Sequence, residues 1–350
     1  MPSSNISPQL HEALVKTLSN GEQVVILYNR RGFSSYLQCE SCGEALTCPD
    51  CSVTLTYHQK RNRLVCHYCY FTRPAPECCP IRRDPDATRL EAPGESALGA
   101  LRHVGGGTER VGEEIQELIP DARISRMDRD TVMRKGAYQE ILGKMKSGES
   151  NVLIGTQMIA KGHDIPGVTL VGIIDADVGI HLPDFRSNER TFQLITQASG
   201  RAGRGSIPGR VIIQTREPQH PTLLASANNK FKAFARFELE RRQALHYPPF
   251  NALMRIVVSS EDLDLAYSSS IRVSQLLSNQ DQLSESFVVL GPAPAPMERL
   301  RGRFRWHLLI KTEKKSTLSR LARALRTWKD AQKEKQEFRL SLDIDPIDML

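Results

Sequence analysis

Residues 151–175 read NVLIGTQMIAKGHDIPGVTLVGIID. Two apolar runs of strand length, 151–156 and 168–175, are joined by a polar stretch punctuated by glycine and proline. Outward from this pair, helical and extended patterns alternate. RVGEEIQELI (110–119) places apolar residues at 111, 115, 118 and 119, a helical stripe, and ARISRMD (122–128) reads as a strand. KGAYQEILGKMKSG (135–148) is an amphipathic helix that stops at Gly148. SNERTFQLITQAS (187–199) is a helix entered at Ser187, and GRVIIQT (209–215) is a further strand. Upstream, LHEALVKTL (10–18) and QVVILYN (23–29) add one more helix and strand. Short apolar strands alternating with helices predict a parallel sheet covered by helices.

The last third has a different rhythm. A charged helix, KFKAFARFELERRQAL (230–245), acts as connector and closes at HYPPF (246–250). Strands at 253–260, 286–291, 303–312 and 338–345 then bracket helices at about 262–278 and 315–332. The order β-α-β-β-α-β predicts an α+β ferredoxin-like domain. Within it, RLRGRFRWHLLIK (299–311) alternates, so Arg303, Arg305, His307 and Lys311 share one side of a strand. That side is either a solvated basic face or, with Arg299 and Arg301, a rim for nucleic-acid phosphates.

All eight cysteines lie between positions 39 and 79. Cys48, Cys51, Cys66 and Cys69 form two C-x-x-C pairs separated by 14 residues, the spacing of a four-sulfur zinc site. Cys39 and Cys42 with Cys79 predict a second site, whose fourth ligand stays open among Cys78, His67 and Asp84. Such metals contribute folding energy rather than chemistry. The opening MPSSNISPQL has no basic and apolar leader pattern, which points to the cytoplasm and away from disulfides. No apolar run reaches membrane-spanning length, so no membrane partner is expected. A net charge of +7 is weak support for nucleic acid, because two thiolate-bound zinc ions would lower it to roughly +3.

QASGRAGR (197–204) follows the 187–199 helix and sets Arg201 and Arg204 three apart among small residues. A guanidinium is permanently charged and forked, suited to the charge on a transferring phosphoryl group. Gly155, Thr156 and Gln157 stand at a strand's C-terminal end, where α/β sheets bind ligands. The Thr156 hydroxyl and the Lys161 ammonium suit a DNA phosphate or sugar.

Together these stretches resemble the C-terminal half of the primosomal protein N′ family, the PriA-type replication-restart DNA helicases. The resemblance is carried by NRRGF (29–33), the C-x-x-C pairs, GGGTERV (105–111), SRMDRDT (125–131), GTQMIAKGHDIPGVTLV (155–171), DFRSNERTFQLITQASGRAGR (184–204), GPAPAPMERLRGRFRW (291–306) and LDIDP (342–346). It implies a RecA-like helicase lobe 2 at 1–37 and 105–226, interrupted by a zinc-binding insert at 38–82 and an atypical loop at 83–104. A connector helix at 227–250 and a C-terminal α+β domain at 251–350 would follow. It also implies superfamily 2 chemistry, with ATP and magnesium held between two lobes and 3′→5′ unwinding in restart of stalled forks. Arg201 and Arg204, with Gln197, would then be the catalytic set, the arginines acting as fingers. Asn29, Arg30 and Arg31, with Gly155, Thr156, Gln157, Lys161 and Gly162, would couple DNA to nucleotide. Fork-like or single-stranded DNA and primosome proteins are the implied partners.

Two departures matter. No G-x-x-x-x-G-K-[ST] phosphate loop and no DExH box occur in these 350 residues. Asp175 and Asp177 imitate a magnesium-binding acid, but in the family that acid belongs to lobe 1. The chain is therefore expected to neither hydrolyse ATP nor unwind DNA alone, and to need a lobe-1 polypeptide. The second departure follows Cys79, where PIRRDPDATRLEAPGESALGAL intervenes and Arg82 stands where the family pattern carries a cysteine. The competing expectation is a zinc-containing DNA- or primosome-binding module without motor activity.

Overall fold

The computed structural model describes residues 5–28, 36–39, 46–50, 54–58, 62–66, 69, 71–80, 100–104, 107–128, 131, 132, 134, 136–160, 165, 167–182, 184–203, 207–280, 287–332 and 337–349. In chain order, α1 (Pro8–Ser19) and β1 (Gln23–Tyr28) precede five short strands. These are β2 (Tyr36–Cys39), β3 (Thr56–His58), β4 (Arg63–Val65), β5 (Thr72–Pro74) and β6 (Leu101–Val104). Alternation resumes with α2 (Gly107–Leu118), β7 (Ile124–Met127), α3 (Ala137–Lys146) and β8 (Val152–Gly155). Next come α4 (Gln157–Ala160), β9 (Val168–Ile174), α5 (Asp177–Ile180), α6 (Ser187–Ser199) and β10 (Arg210–Ile213). Then α7 (Pro221–Ala227), α8 (Phe231–Ala244), β11 (Ala252–Ser260), α9 (Leu263–Gln280), β12 (Phe287–Leu300), β13 (Arg303–Thr312), α10 (Lys315–Asp330) and β14 (Arg339–Ile344) complete the chain.

The chain divides into two compact units. The first, 1–35, 105–182 and 186–238, is a five-stranded sheet in the order β10-β9-β1-β8-β7, with every pair parallel. All seven residues of β9 and all four of β8 are buried, which is why neither run alternates in sequence. Successive β1 residues serve opposite faces. Val24 and Ile26 join Leu10 and Leu14 of α1 and Ile115 of α2, whereas Val25 and Leu27 join Leu142 and Met145 of α3 and Ile195 of α6. Pro8 occupies the first turn of α1, whose cap is the Ser7 hydroxyl accepting from the Leu10 amide. This is the parallel sheet between helices expected of a RecA-like lobe.

The second unit holds 36–104, 183–185 and 239–350. Its cysteine-rich part pairs β2 with β6 and stacks the meander β3-β4-β5 around Leu37, Leu46, Leu55 and Leu64. Its larger part is the antiparallel sheet β12-β13-β11-β14, the strand order of a ferredoxin-like domain. Val273 and Leu277 of α9, and Leu318, Leu321 and Leu325 of α10, pack on Met254, Ile256, Leu308 and Ile310.

Two expectations are corrected here. The loop predicted over 83–104 ends in a strand, because Leu101–Val104 pairs with Tyr36–Cys39 and Ala100 bridges Cys78. The strand predicted over 286–291 runs on to Leu300 through three prolines. It is an edge strand, so the missing N–H groups need not pair, and the ladder shifts register between Leu290 and Ala293 and between Pro294 and Arg299.

Candidate functional site

The parallel sheet presents two edges. Gly155 lies opposite Leu27, at the C-terminal ends of the strands, whereas Val168 lies opposite Gln23, at their starts. Four residues of strand separate these levels, about 13 Å. GTQ occupies the first edge. A Cβ on Gly155 would stand 2.0 Å from the Met127 carbonyl oxygen and 2.6 Å from Ile159, so only glycine lets β7, β8 and α4 close together. Thr156 and Gln157 follow at once, the Thr156 amide donating to the Met127 carbonyl at 3.4 Å. Asn29, Arg30 and Arg31, which continue β1 along the chain, lie outside the described residues, as do Lys161 and Gly162.

The arginine turn is fixed at the opposite edge. Beyond α6, the Arg201 amide donates to Ala198 O at 3.0 Å, Ala202 to Ser199 O at 3.2 Å, and Gly203 to Val168 O at 3.0 Å. Gly203 has φ +71°, and a Cβ there would meet the Gly209 nitrogen at 2.2 Å. Gln197 is exposed on α6, Arg201 is half-buried, and Arg204 lies outside the described residues. The first half of α6 is braced from α8. Asn188 Nδ2 donates to the buried Glu238 carboxylate at 3.2 Å, and Phe192 stacks on Phe234 with centroids 4.2 Å apart. The two carboxylate oxygens of Asp177 accept from the Thr215 hydroxyl and the Arg216 amide, tying α5 to the segment after β10.

In the second unit, the sulfurs of Cys48, Cys66 and Cys69 lie within 4.8 Å of one another, with Cys48 and Cys69 Sγ at 3.5 Å. Burial, and then the neighbouring Cys69 and Cys66 thiols, push the Cys48 thiol far above its ordinary value. Crowding two buried thiols and the half-buried Cys69 thiol is unfavourable for bare thiolates and suited to a divalent soft cation that removes the protons. These residues fit zinc, with Cys51, the predicted fourth ligand, outside the described residues. For the second site, Cys39 sits opposite Leu101 and Cys78 bridges the adjacent Ala100, with Cys39 and Cys79 buried. Among the described residues these three do not form a second cluster, and Cys42 lies outside them.

The basic strand is largely turned inward. Arg299 donates to Pro49 O at 2.7 Å and lies over the Phe304 ring. Arg303 donates to Glu261, to Ser259 O and to Glu337 O at 3.0–3.2 Å, and Arg305 donates to Met297 O at 3.3 Å. Lys311, 9% exposed, donates to Leu245 O at 2.8 Å over the Tyr247 ring. Burial lowers the affinity of Arg305, His307 and Lys311 for protons, and Arg255 adds repulsion at Arg305 and His307. Arg301 stands exposed in the β12–β13 turn with φ +51°. Arg255 went unnoticed in the sequence, because it sits at an ordinary position of its strand pattern.

Comparison with known proteins covers both units. Residues 48–74 match the PriA DNA helicase Cys-rich region domain, 107–206 the helicase conserved C-terminal domain, and 243–347 the primosomal protein N C-terminal domain. The chain is 38% identical over 347 residues to the replication restart protein PriA of Bacillus subtilis, covering 99% of this chain and 41% of that protein. Its counterparts in Haemophilus influenzae and Treponema pallidum are 36% and 37% identical, each over 99% of this chain and over 45% and 50% of their own lengths. The chain thus spans about half or less of the relatives it matches. With zinc-type cysteines, a helicase lobe and a ferredoxin-like domain in the family's order, the chain belongs to the replication restart protein PriA family.

Proposed function

We propose that the chain is the C-terminal portion of an ATP-dependent 3′→5′ DNA helicase that restarts stalled replication forks. The observation that carries this reading is the pinned glycine turn at Gly203, which fixes the arginine-bearing segment at one edge of the sheet, with GTQ at the other. The guanidinium groups of QASGRAGR would neutralise charge on the γ-phosphoryl of an ATP–magnesium complex. That complex would be gripped by a polypeptide carrying the phosphate loop and DExH box. Asn29, Arg30, Arg31, Thr156, Gln157, Lys161 and Gly162 would contact the DNA strand, and Arg301, exposed on the C-terminal domain, would offer that domain's own phosphate contact. Cys48, Cys51, Cys66 and Cys69 would hold one zinc. Cys39, Cys42 and Cys79 would hold a second, whose fourth ligand stays open with Cys78 as one candidate. Primosome proteins would be the protein partners.

The test is to mix the chain with a lobe-1 polypeptide at equal stoichiometry and follow phosphate release with single-stranded DNA. DNA-stimulated turnover that appears only in the mixture, and is lost on Arg204→Ala, is the expected result. No turnover in the mixture would overturn the motor reading in favour of a zinc-containing DNA- or primosome-binding module.

A further inference from the structure

The β12–β13 hairpin reaches beyond its own sheet. Leu300 and Arg303 face each other across a two-residue turn whose central residues, Arg301 and Gly302, have φ of +51° and +77°. The amides of such a turn lie outside the ladder, and that of Gly302 donates to Asp50 O at 2.8 Å. Beside it, Arg299 donates to Pro49 O at 2.7 Å across a sequence separation of 250 residues. The Arg299 Nε is fully buried and the guanidinium lies over the Phe304 ring, 4.9 Å from its centroid. Leu300 packs against the core that contains Leu46, Leu55, Cys48 and Cys66. Hairpin and cysteines belong to one compact unit.

Pro49 and Asp50 are the two residues between Cys48 and Cys51. The Pro49 carbonyl and the Asp50 amide belong to one planar peptide unit and point in opposite directions. Arg299 holds the carbonyl end by a charge-assisted hydrogen bond, and the amide end hydrogen-bonds to the Cys48 sulfur. Turning this peptide to break one bond would break the other. The Asp50 carbonyl, one peptide further on, is held by Gly302. Two successive carbonyls of the knuckle are thus fixed from outside, which keeps the intervening amide aimed at a metal-binding sulfur. Loss of a contact that orients a ligand typically costs about 10- to 100-fold in metal affinity.

We infer that Arg299 is a positioning residue for Cys48, and that the β12–β13 hairpin clamps the knuckle, so that the C-terminal α+β domain sets how firmly the cysteine-rich part keeps its metal. The inference rests on the zinc reading of Cys48, Cys51, Cys66 and Cys69. It gives Arg299 a task inside the chain and leaves phosphate contact on this hairpin to Arg301.

Zinc release from the full chain to a chromogenic chelator tests the positioning role. Arg299→Met should release one zinc about tenfold faster than the wild type, and Arg299→Lys, which still donates, should stay within about threefold. Arg303→Met is the control for lost stability alone, because Arg303 donates to Glu261, Ser259 O and Glu337 O and not to the knuckle. It should lower the urea midpoint and leave zinc release as in the wild type. With cobalt in place of zinc, Arg299→Met should shift the sulfur-to-metal charge-transfer band, whereas Arg303→Met should superimpose on the wild type. Unchanged release from Arg299→Met, equal acceleration by Arg299→Met and Arg303→Met, or an unshifted cobalt band would overturn the positioning role.

Amide exchange at Gly302 is the readout that does not depend on metal. Bonded to Asp50 O, this turn amide should exchange at least about tenfold slower than an unprotected amide, and Arg299→Met should remove most of that protection. An unprotected Gly302 amide in the wild type would mean that the hairpin does not clamp the knuckle. If the wild-type chain holds less than one zinc, the zinc reading has failed and the positioning role falls with it, and the exchange data still decide the clamp.

Discussion

Gly203 is the residue on which the arginine turn depends most directly. Its φ of +71° lies in the left-handed region, and the Gly209 nitrogen stands 2.2 Å from where a Cβ would be. Relief would require the backbone at 209 to move, and a Cβ on Gly209 would itself stand 2.3 Å from the Ala202 carbonyl carbon, so the two backbones are already in close apposition. Gly203→Ala should therefore destabilise the chain by at least about 2 kcal/mol, read as a lower urea midpoint at unchanged m-value. A midpoint within error of the wild type would mean the turn is not pinned as described. In sequence, two glycines flanking arginines suggest a slim turn, and that much was legible. The contact that makes Gly203 indispensable comes from 208–209, and nothing in the local string announces it. That Arg201 is half-buried was illegible for a similar reason, because the residues that share its pocket, from Val25 to Val168, are scattered along the chain.

At the scale of elements, patterns dictated by burial alone were read correctly, and those set by pairing partners were not. β8 and β9 are buried throughout, and their unbroken apolar runs show it. β6 was hidden behind a Pro- and Gly-rich stretch, since its partner β2 lies some sixty residues upstream. The basic strand β13 alternates as predicted, yet Ser259, Met297 and Glu337 carbonyls from its neighbours claim its arginines. The meander β3-β4-β5 has strands of three residues each and a core of few leucines, so it cannot be stable without a metal. Purified chain should contain between one and two zinc ions, measured by metal analysis. Cys66→Ser should remove about one of them and expose this meander to proteolysis, with the parallel sheet left intact by circular dichroism. Less than one zinc per wild-type chain would refute the Cys48, Cys51, Cys66 and Cys69 assignment.

For the whole molecule, the decisive question is where a nucleotide would be held. Gripping the β- and γ-phosphates takes a loop of inward amides, a lysine that reaches them and an acid for magnesium. Gly143-Lys144 is interior to α3 and is followed by Met145, which is fully buried against the sheet, so no phosphate-gripping loop forms there. Asp177 is engaged structurally, its carboxylate accepting from the Thr215 hydroxyl and the Arg216 amide. What the lobe offers is the complementary half, a charged turn fixed on a rigid sheet. The 350-residue chain by itself should thus show no ATP turnover above background, with or without single-stranded DNA, in a coupled phosphate-release assay. Arg204→Ala serves as the control, since any activity that survives it belongs to a contaminant. DNA-stimulated turnover that the wild type shows and Arg204→Ala abolishes would mean that the chain builds a complete nucleotide site from its own residues. The split-site account would then fail as a whole.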